Sequence, residues 1–292
     1  MNVIYSVIQT FSSREKALVI WIFVLLIFVL LRKEIRSSFF QILKMMFLSK
    51  LSLVFIGTII YAVLISRMLQ EVSLWNILLL KDTLFWILGT AFVLAMGINK
   101  AISDSRYFKK LALSVFALSI MVEFVVNLYT FSFWIEMILI PVFVFIGGML
   151  GIAETDTKYS SVKKILNSVL VAFGLFSILY ALAQLLSSFS SFTTLYNLRV
   201  FLIGPILSLG YIPFLYLFAL FMTYETLFVR INMFTKNDKK LSFFTKRKIF
   251  ELCHFNLTKL IRFSQNTGIE ISRLSKKKDA IDMIASYKSK TN

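Results

Sequence analysis

Long apolar segments recur through the first three quarters of the chain, and they constrain its fold more than any other feature. Of the 292 residues, 58% are hydrophobic and 31 are phenylalanine, whereas soluble domains are about 45–50% apolar. A helix needs about 20 predominantly apolar residues to cross a bilayer. The sequence therefore predicts an all-α protein, a polytopic bundle of transmembrane helices.

Seven spans are predicted from the apolar segments. They are Ala17–Leu31, Leu51–Ser66, Thr83–Ile98, Leu111–Leu128, Trp134–Ala153, Ile165–Leu186 and Val200–Thr223. The first three are short, and flanking Lys and Arg side chains lengthen them by snorkelling. The N-terminus lacks the basic start and the small-residue cleavage site of a signal peptide, so we expect the first span to stay.

Basic residues predict the orientation. Of the 32 Lys and Arg, 27 fall on one side of the predicted membrane and five on the other. Because basic residues accumulate on the cytoplasmic side, we expect an outside N-terminus and a cytoplasmic C-terminus in a bacterial inner membrane. The predicted domains are a transmembrane domain over 1–229 and a basic helical tail over 230–292.

Two carboxylates interrupt the apolar stretch from Leu111 to Ala153. Glu136 lies close to the turn between spans four and five, so its carboxylate is within reach of the headgroups. Glu123 lies deeper and shares a helix face with Asn127. Because a lipid-exposed carboxylate is costly, we expect that face to point into protein or water.

Three roles are open for Glu123. It can bond Asn127 in a protonated state, pair with Lys81 or Arg199, or repeat around an oligomer as an acidic ring in a water-filled path. Lys81 itself precedes Asp82 within an apolar run. Either Asp82 is the N-cap of an interfacial helix, or Lys81 is buried and bonded to Glu123.

Two other patterns bear on the spans. The Gly147-x-x-x-Gly151 spacing in span five permits close helix contact. Span seven contains Gly204-Pro205, Gly210 and Pro213. Proline in such a helix produces either a kink that shapes packing or a broken helix of the kind that lines transporter sites.

The C-terminal tail is strongly basic, with 15 Lys and Arg against five Asp and Glu from residue 230 onward. The segment SFFTKRKIFELCHFNLTKLIRF has apolar residues at helical spacing, and Gly268 is a natural end for this helix. The candidate anion-binding residues are Lys246, Arg247, Lys248, Lys259, Arg262, Lys276, Lys277 and Lys278. The tail can rest on anionic lipid, associate with other subunits or bind a phosphate-rich ligand.

The sequence offers no catalytic motif, so we expect a protein that is not an enzyme and has no cofactor. The single Cys253 and the single His254 exclude an internal disulfide and a metal site built from several histidines. No glycine-rich phosphate loop is present, so side chains would have to form any anion site.

Three segments, LLKDTLFWILGTAF, VEFVVNLYTFSFWIEMILIPVF and ETDTKYSSVKKILN, resemble a group of bacterial polytopic membrane proteins of uncertain function. A membrane domain with a basic tail is also similar in architecture to membrane effectors of anti-phage defence, such as the Hailong type. In those systems a nucleotidyltransferase makes a DNA oligomer and the membrane protein conducts ions. The resemblance implies a homo-oligomeric ion-conducting effector that responds to a nucleotide, an oligonucleotide or a protein partner at its tail. The alternatives are a secondary transporter, a lipid-handling permease, or a non-conducting assembly or immunity protein.

Overall fold

The computed structural model of the protein describes residues 9–48, 51–104, 106–115, 125–187, 194–235 and 238–291. Within these ranges the chain is helical and contains no strand, which confirms the all-α class. The helices that precede the tail are α1 (Ser13–Leu31), α2 (Lys33–Leu48), α3 (Leu51–Glu71), α4 (Leu80–Trp86), α5 (Phe92–Met96), α6 (Asn99–Ser103), α7 (Tyr107–Ser114), α8 (Phe133–Ala153), α9 (Ser160–Ser187) and α10 (Leu195–Phe234).

Five described helical stretches are long and apolar enough to cross a membrane. They are Ser52–Glu71, Ile77–Ser103, Phe133–Ala153, Ser160–Ser187 and Leu195–Phe234. They correspond to predicted spans two, three, five, six and seven. In the most apolar part of each stretch, the buried share of the residues is lowest in α8, at 6%, and does not exceed 33% in any of the five. Most of their apolar surface therefore faces outward, as in a bilayer.

Predicted spans one and four are not among these five stretches, for different reasons. α1 is not among the five candidates, and its first turn carries Arg14, Glu15 and Lys16. Predicted span four runs through residues 116–124, which lie outside the described residues.

The helical stretch Ile77–Ser103, which contains predicted span three, has two irregularities. A 3₁₀ turn at Ile77–Leu79 starts it, and the side chain of Asn76 caps that turn by accepting from the Leu78 N–H. A π-helical segment, Ile87–Ala91, lies between α4 and α5. Predicted span seven has no such break, because α10 stays helical through Pro205 and Pro213. The broken-helix interpretation of this span is therefore wrong.

The chain divides into two compact units. The first comprises Met1–Ile87 and Val115–Leu207, and the second comprises Leu88–Ser114 and Ser208–Asn292. In the first unit, α1 packs along α8 and α8 packs against α9.

The second unit contains four tail helices, α11 (Lys239–Cys253), α12 (Leu257–Asn266), α13 (Gly268–Ser272) and α14 (Lys277–Thr291). They enclose a core of their own. Its buried side chains are Leu241, Ile249, Cys253, Leu257, Leu260, Phe263, Ile271, Leu274, Ala280, Met283 and Tyr287.

The single helix predicted to run as far as Gly268 is interrupted at His254, whose φ of 44° is left-handed. The Asn256 side chain then caps α12 by accepting from the Lys259 N–H. Two tyrosines of α10 hold the turn: the Tyr216 hydroxyl donates to the Phe255 carbonyl at 2.7 Å, and the Tyr224 hydroxyl donates to the His254 carbonyl at 2.8 Å. Such long-range contacts are invisible in the local spacing of apolar residues.

Candidate functional site

An ion pair between α1 and α8 is the first element of the candidate site. The Arg14 Nε lies 3.2 Å from each carboxylate oxygen of Glu136, and its Nη2 lies 3.1 Å from Oε1. The same oxygen accepts from the Phe131 N–H at 3.1 Å. Glu136 is only 2% exposed, so the prediction that its carboxylate reaches the headgroups is wrong.

A second group of charges surrounds Lys81 at the start of α4. The Lys81 Nζ donates to both carboxylate oxygens of Glu15, at 2.9 and 3.1 Å, and to Asp82 Oδ1 at 3.0 Å. It also lies 5.9 Å from the centre of the Phe11 ring. Lys81 is therefore buried, which agrees with one of the two predictions for it. Among the described residues, its hydrogen-bond partners are Glu15 and Asp82.

The start of α1 joins these two groups because Arg14 and Glu15 are adjacent. Ser12 and Glu15 form a capping box, in which the Ser12 hydroxyl accepts from the Glu15 N–H and the Glu15 carboxylate accepts from the Ser12 N–H. This cap fixes the first turn of α1. It also fixes the Glu15 carboxylate towards Lys81 while Arg14 reaches Glu136.

The five charged side chains, which we call the charge cluster, are Arg14, Glu15, Lys81, Asp82 and Glu136. With three carboxylates and two cations, the cluster has a formal charge of −1 when all five are ionised. The second carboxylate oxygen of Asp82, Oδ2, is buried without a hydrogen-bond partner among the described residues. The cluster therefore has an acceptor to spare for a cation, a proton or water.

Of the predicted intramembrane residues, Glu136, Lys81 and Asn127 come together through the cluster. The Asn127 Oδ1 accepts from Arg14 Nη1 at 3.1 Å. Glu123, the predicted neighbour of Asn127, lies outside the described residues. Arg199 lies near the start of α10 and is half-buried.

Two sequence-based interpretations missed part of this arrangement. Asp82 is not an N-cap, because Asn76 caps the preceding turn and Asp82 lies inside α4. Neither Arg14 nor Glu15 was among the residues predicted for a site. The Ser12-x-x-Glu15 spacing, which is the signature of a capping box, is the local signal that marks this helix start.

The predicted anion-binding residues of the tail fall into several groups. The Lys246 Nζ donates to Asn232 Oδ1 at 2.8 Å. Arg247 and Lys248 both contact the Glu251 carboxylate, at 2.9 and 2.7 Å, and these hydrogen bonds hold the pKa of Glu251 below its usual value.

The other basic residues of the tail belong to α12 and α14. Lys277 lies 5.5 Å from the centre of the Phe244 ring, which places the start of α14 beside α11. Lys276, Lys277 and Lys278 are exposed, as is Arg262, and Lys259 is half-buried. The structure thus brings the lysines of α14 next to α11 but shows no single pocket formed by all eight residues among those it describes.

The tail core also limits one predicted role of the tail. Leu257, Leu260 and Phe263 form the apolar side of α12, and all three are buried within the second unit. These side chains cannot also lie on a bilayer. Any contact of the tail with lipid must therefore use its exposed residues, which include Phe243, Phe250 and Phe255.

Comparisons with known proteins found no match, so a function can be assigned only from the residues themselves. The chain matches no known protein family, and no significant match was found among curated proteins or solved structures. Within the described ranges, no group of three His, Cys, Asp or Glu residues is arranged to hold a metal ion.

Proposed function

We propose that the protein is a multi-pass protein of the bacterial inner membrane that conducts cations as a homo-oligomer. A nucleotide, an oligonucleotide or a protein partner gates it at the basic tail, and the role is that of a membrane effector in defence rather than an enzyme. The observation that carries the proposal is the charge cluster, because ionisable residues within transmembrane helices mark ion pathways.

The positions of the cluster residues support the seven-span arrangement. Arg14, Lys81 and Glu136 each lie at or near the start of a predicted span, the first, third and fifth. Through the cluster, these three helix starts lie close together. This is expected if spans one, three and five all start on the same side of the membrane, with spans two and four running back between them. α1 packs along α8, and the Trp21 Nε1 donates to the Met137 carbonyl at 2.8 Å. This packing supports a crossing by α1 alongside α8.

The charge balance favours cations over anions. With a formal charge of −1 and the unpartnered Asp82 Oδ2, the cluster attracts cations and repels anions. Repeated around a symmetric oligomer, one such cluster per subunit forms a ring of negative charge, which is the usual basis of cation selectivity.

An oligomer also accounts for the glycines of α8. A Cβ built on Gly147 or Gly151 meets no atom within 4 Å in the described part of the chain, so no described helix of the same subunit uses this close-contact surface. A second subunit would fill it.

The tail is the proposed site of gating because it carries most of the excess positive charge, 15 basic against five acidic residues. The exposed lysines at the start of α14 are suited to phosphates. Because Tyr216 and Tyr224 link α10 to the turn between α11 and α12, a ligand on the tail has a direct connection to the last span.

The decisive test is reconstitution of the purified protein in liposomes loaded with a potassium-sensitive dye. We expect potassium flux with a single-stranded oligodeoxynucleotide on the tail side, and native mass spectrometry should show a homo-oligomer. Flux that is absent with and without oligonucleotide or nucleotide would reject conduction. Flux without any ligand dependence would reject gating by such a ligand.

A further inference from the structure

A cavity of about 840 Å³ lies in the first unit beside the Arg14–Glu136 pair. This volume is within the range of about 300–1,000 Å³ that is usual for ligand sites. Its walls come from α1, α8, α9 and residue 126, and they are mostly apolar. Lining side chains include Leu18, Leu139, Phe143, Leu170, Phe173 and Ile178.

Ser177 supplies an unused polar group on the wall of this cavity. It is 6% exposed, and its hydroxyl is buried without a hydrogen-bond partner among the described residues. Several other helical hydroxyls donate to the carbonyl four residues earlier, as do Ser168 at 2.9 Å and Thr223 at 2.8 Å. An unpaired buried hydroxyl is unfavourable, so a ligand with an acceptor would relieve this cost.

We propose that this cavity binds one acyl chain of a bilayer phospholipid, with the chain's ester carbonyl accepting from the Ser177 hydroxyl. The apolar walls suit the hydrocarbon chain. Arg14 is paired with Glu136, but its side chain is 27% exposed, so its guanidinium N–H groups at the cavity can donate to ester oxygens of the lipid. The site does not depend on ion conduction, since it belongs to a single subunit and uses its own residues.

Gly174 allows a direct steric test. It lines the cavity, and a Cβ built on it meets no atom within 4 Å. Gly174→Leu therefore fills the cavity without a backbone clash. Gly148 on α8 has equally open surroundings but does not line the cavity, so Gly148→Leu is the matched control.

The probe is a phosphatidylethanolamine with a diazirine in one acyl chain. The full-length protein is reconstituted in vesicles of phosphatidylethanolamine and phosphatidylglycerol that contain this probe, irradiated, digested and mapped by mass spectrometry. We expect crosslinks at cavity-lining residues such as Leu139, Phe143 and Leu170. Gly174→Leu should abolish them, and Gly148→Leu should leave them unchanged.

Ser177→Ala tests the hydrogen bond separately, and it keeps the test valid if Gly174→Leu fails to fold. Losing one hydrogen bond should weaken crosslinking at subsaturating probe by about two- to tenfold, with labelling of the lipid-facing Phe145 and Ile152 unchanged. The proposal is overturned if no cavity residue is labelled in the wild-type protein, or if labelling persists in a folded Gly174→Leu variant. Equal labelling of wild type and Ser177→Ala would overturn the role of the hydroxyl.

Discussion

Arg14 and Glu136 are 122 positions apart in the chain, and the guanidinium of one contacts both carboxylate oxygens of the other. The carboxylate is almost fully buried, with 3% of its side chain exposed against 27% for Arg14. Taking one partner away from such a pair leaves a buried charge without compensation, which costs more than the pair itself contributes.

The stability of the first unit should therefore respond asymmetrically to changes at this pair. Arg14→Leu should lower the free energy of unfolding by about 3–5 kcal/mol, because Glu136 loses its partner. The double variant Arg14→Leu/Glu136→Leu should recover most of this loss. Thermal unfolding in detergent measures both, and a single variant as stable as the wild type would show that Glu136 does not need Arg14.

The orientation of the chain is tested by compartment-specific reporters. Because 27 of the 32 basic residues fall on one side of seven predicted spans, a reporter after Asn292 should be cytoplasmic and one at Asn2 should be outside. Two cytoplasmic termini would require an even number of spans and would contradict the seven-span arrangement.

Much of the helical framework could be predicted from sequence, because a membrane-spanning helix needs only a long apolar run. Predicted spans five and six, Trp134–Ala153 and Ile165–Leu186, fall within α8 and α9. The partners of the charged residues could not be predicted, since they depend on which helices become neighbours. Lys81 binds Glu15, which is 66 positions away, and the spacing of neighbouring residues cannot predict a contact over this distance in the chain.

The break in the tail shows a second limit of sequence analysis. The apolar spacing continues through residues 249–263 as if one helix ran there, but the tyrosine contacts from α10 stabilise a turn at His254. In the charge cluster, by contrast, the sequence does carry a local signal: the capping box of Ser12 and Glu15 marks the start of α1. The acidic-ring role for Glu123 stays a prediction, because this residue lies outside the described ranges.

The buried thiol of Cys253 gives a pH-dependent test of the tail core. Burial raises its pKa from an ordinary value of 9.0 to about 11, so the folded tail favours the neutral thiol. As pH rises from about 9 to 11, the unfolded chain loses this proton first. The free energy of unfolding should then fall more steeply in the wild type than in Cys253→Ala. The difference between the two variants isolates Cys253 from other titrating groups, and identical pH profiles would contradict its burial.

Polyanion binding by the tail should depend on the exposed lysines at and just before the start of α14. Lys276→Glu/Lys278→Glu should weaken binding of a fluorescent single-stranded oligodeoxynucleotide in detergent, and added salt should weaken wild-type binding because phosphate contacts release counterions. Lys163→Glu/Lys164→Glu, two changes in the first turns of α9 in the first unit, alters the net charge by the same amount and is the control. Equal binding by the α14 variant and the control would exclude these lysines as the anion site.

The central claim, that the charge cluster selects cations, is tested most directly by the reversal potential of reconstituted protein under a potassium chloride gradient. Asp82→Asn brings the formal charge of the cluster from −1 to zero and keeps the shape of the side chain. Glu71→Gln removes an exposed carboxylate at the end of α3 and serves as the matched control. We predict cation selectivity in the wild type and in Glu71→Gln, and a shift towards equal potassium and chloride permeability in Asp82→Asn. A folded, conducting Asp82→Asn variant with the wild-type reversal potential would contradict the claim.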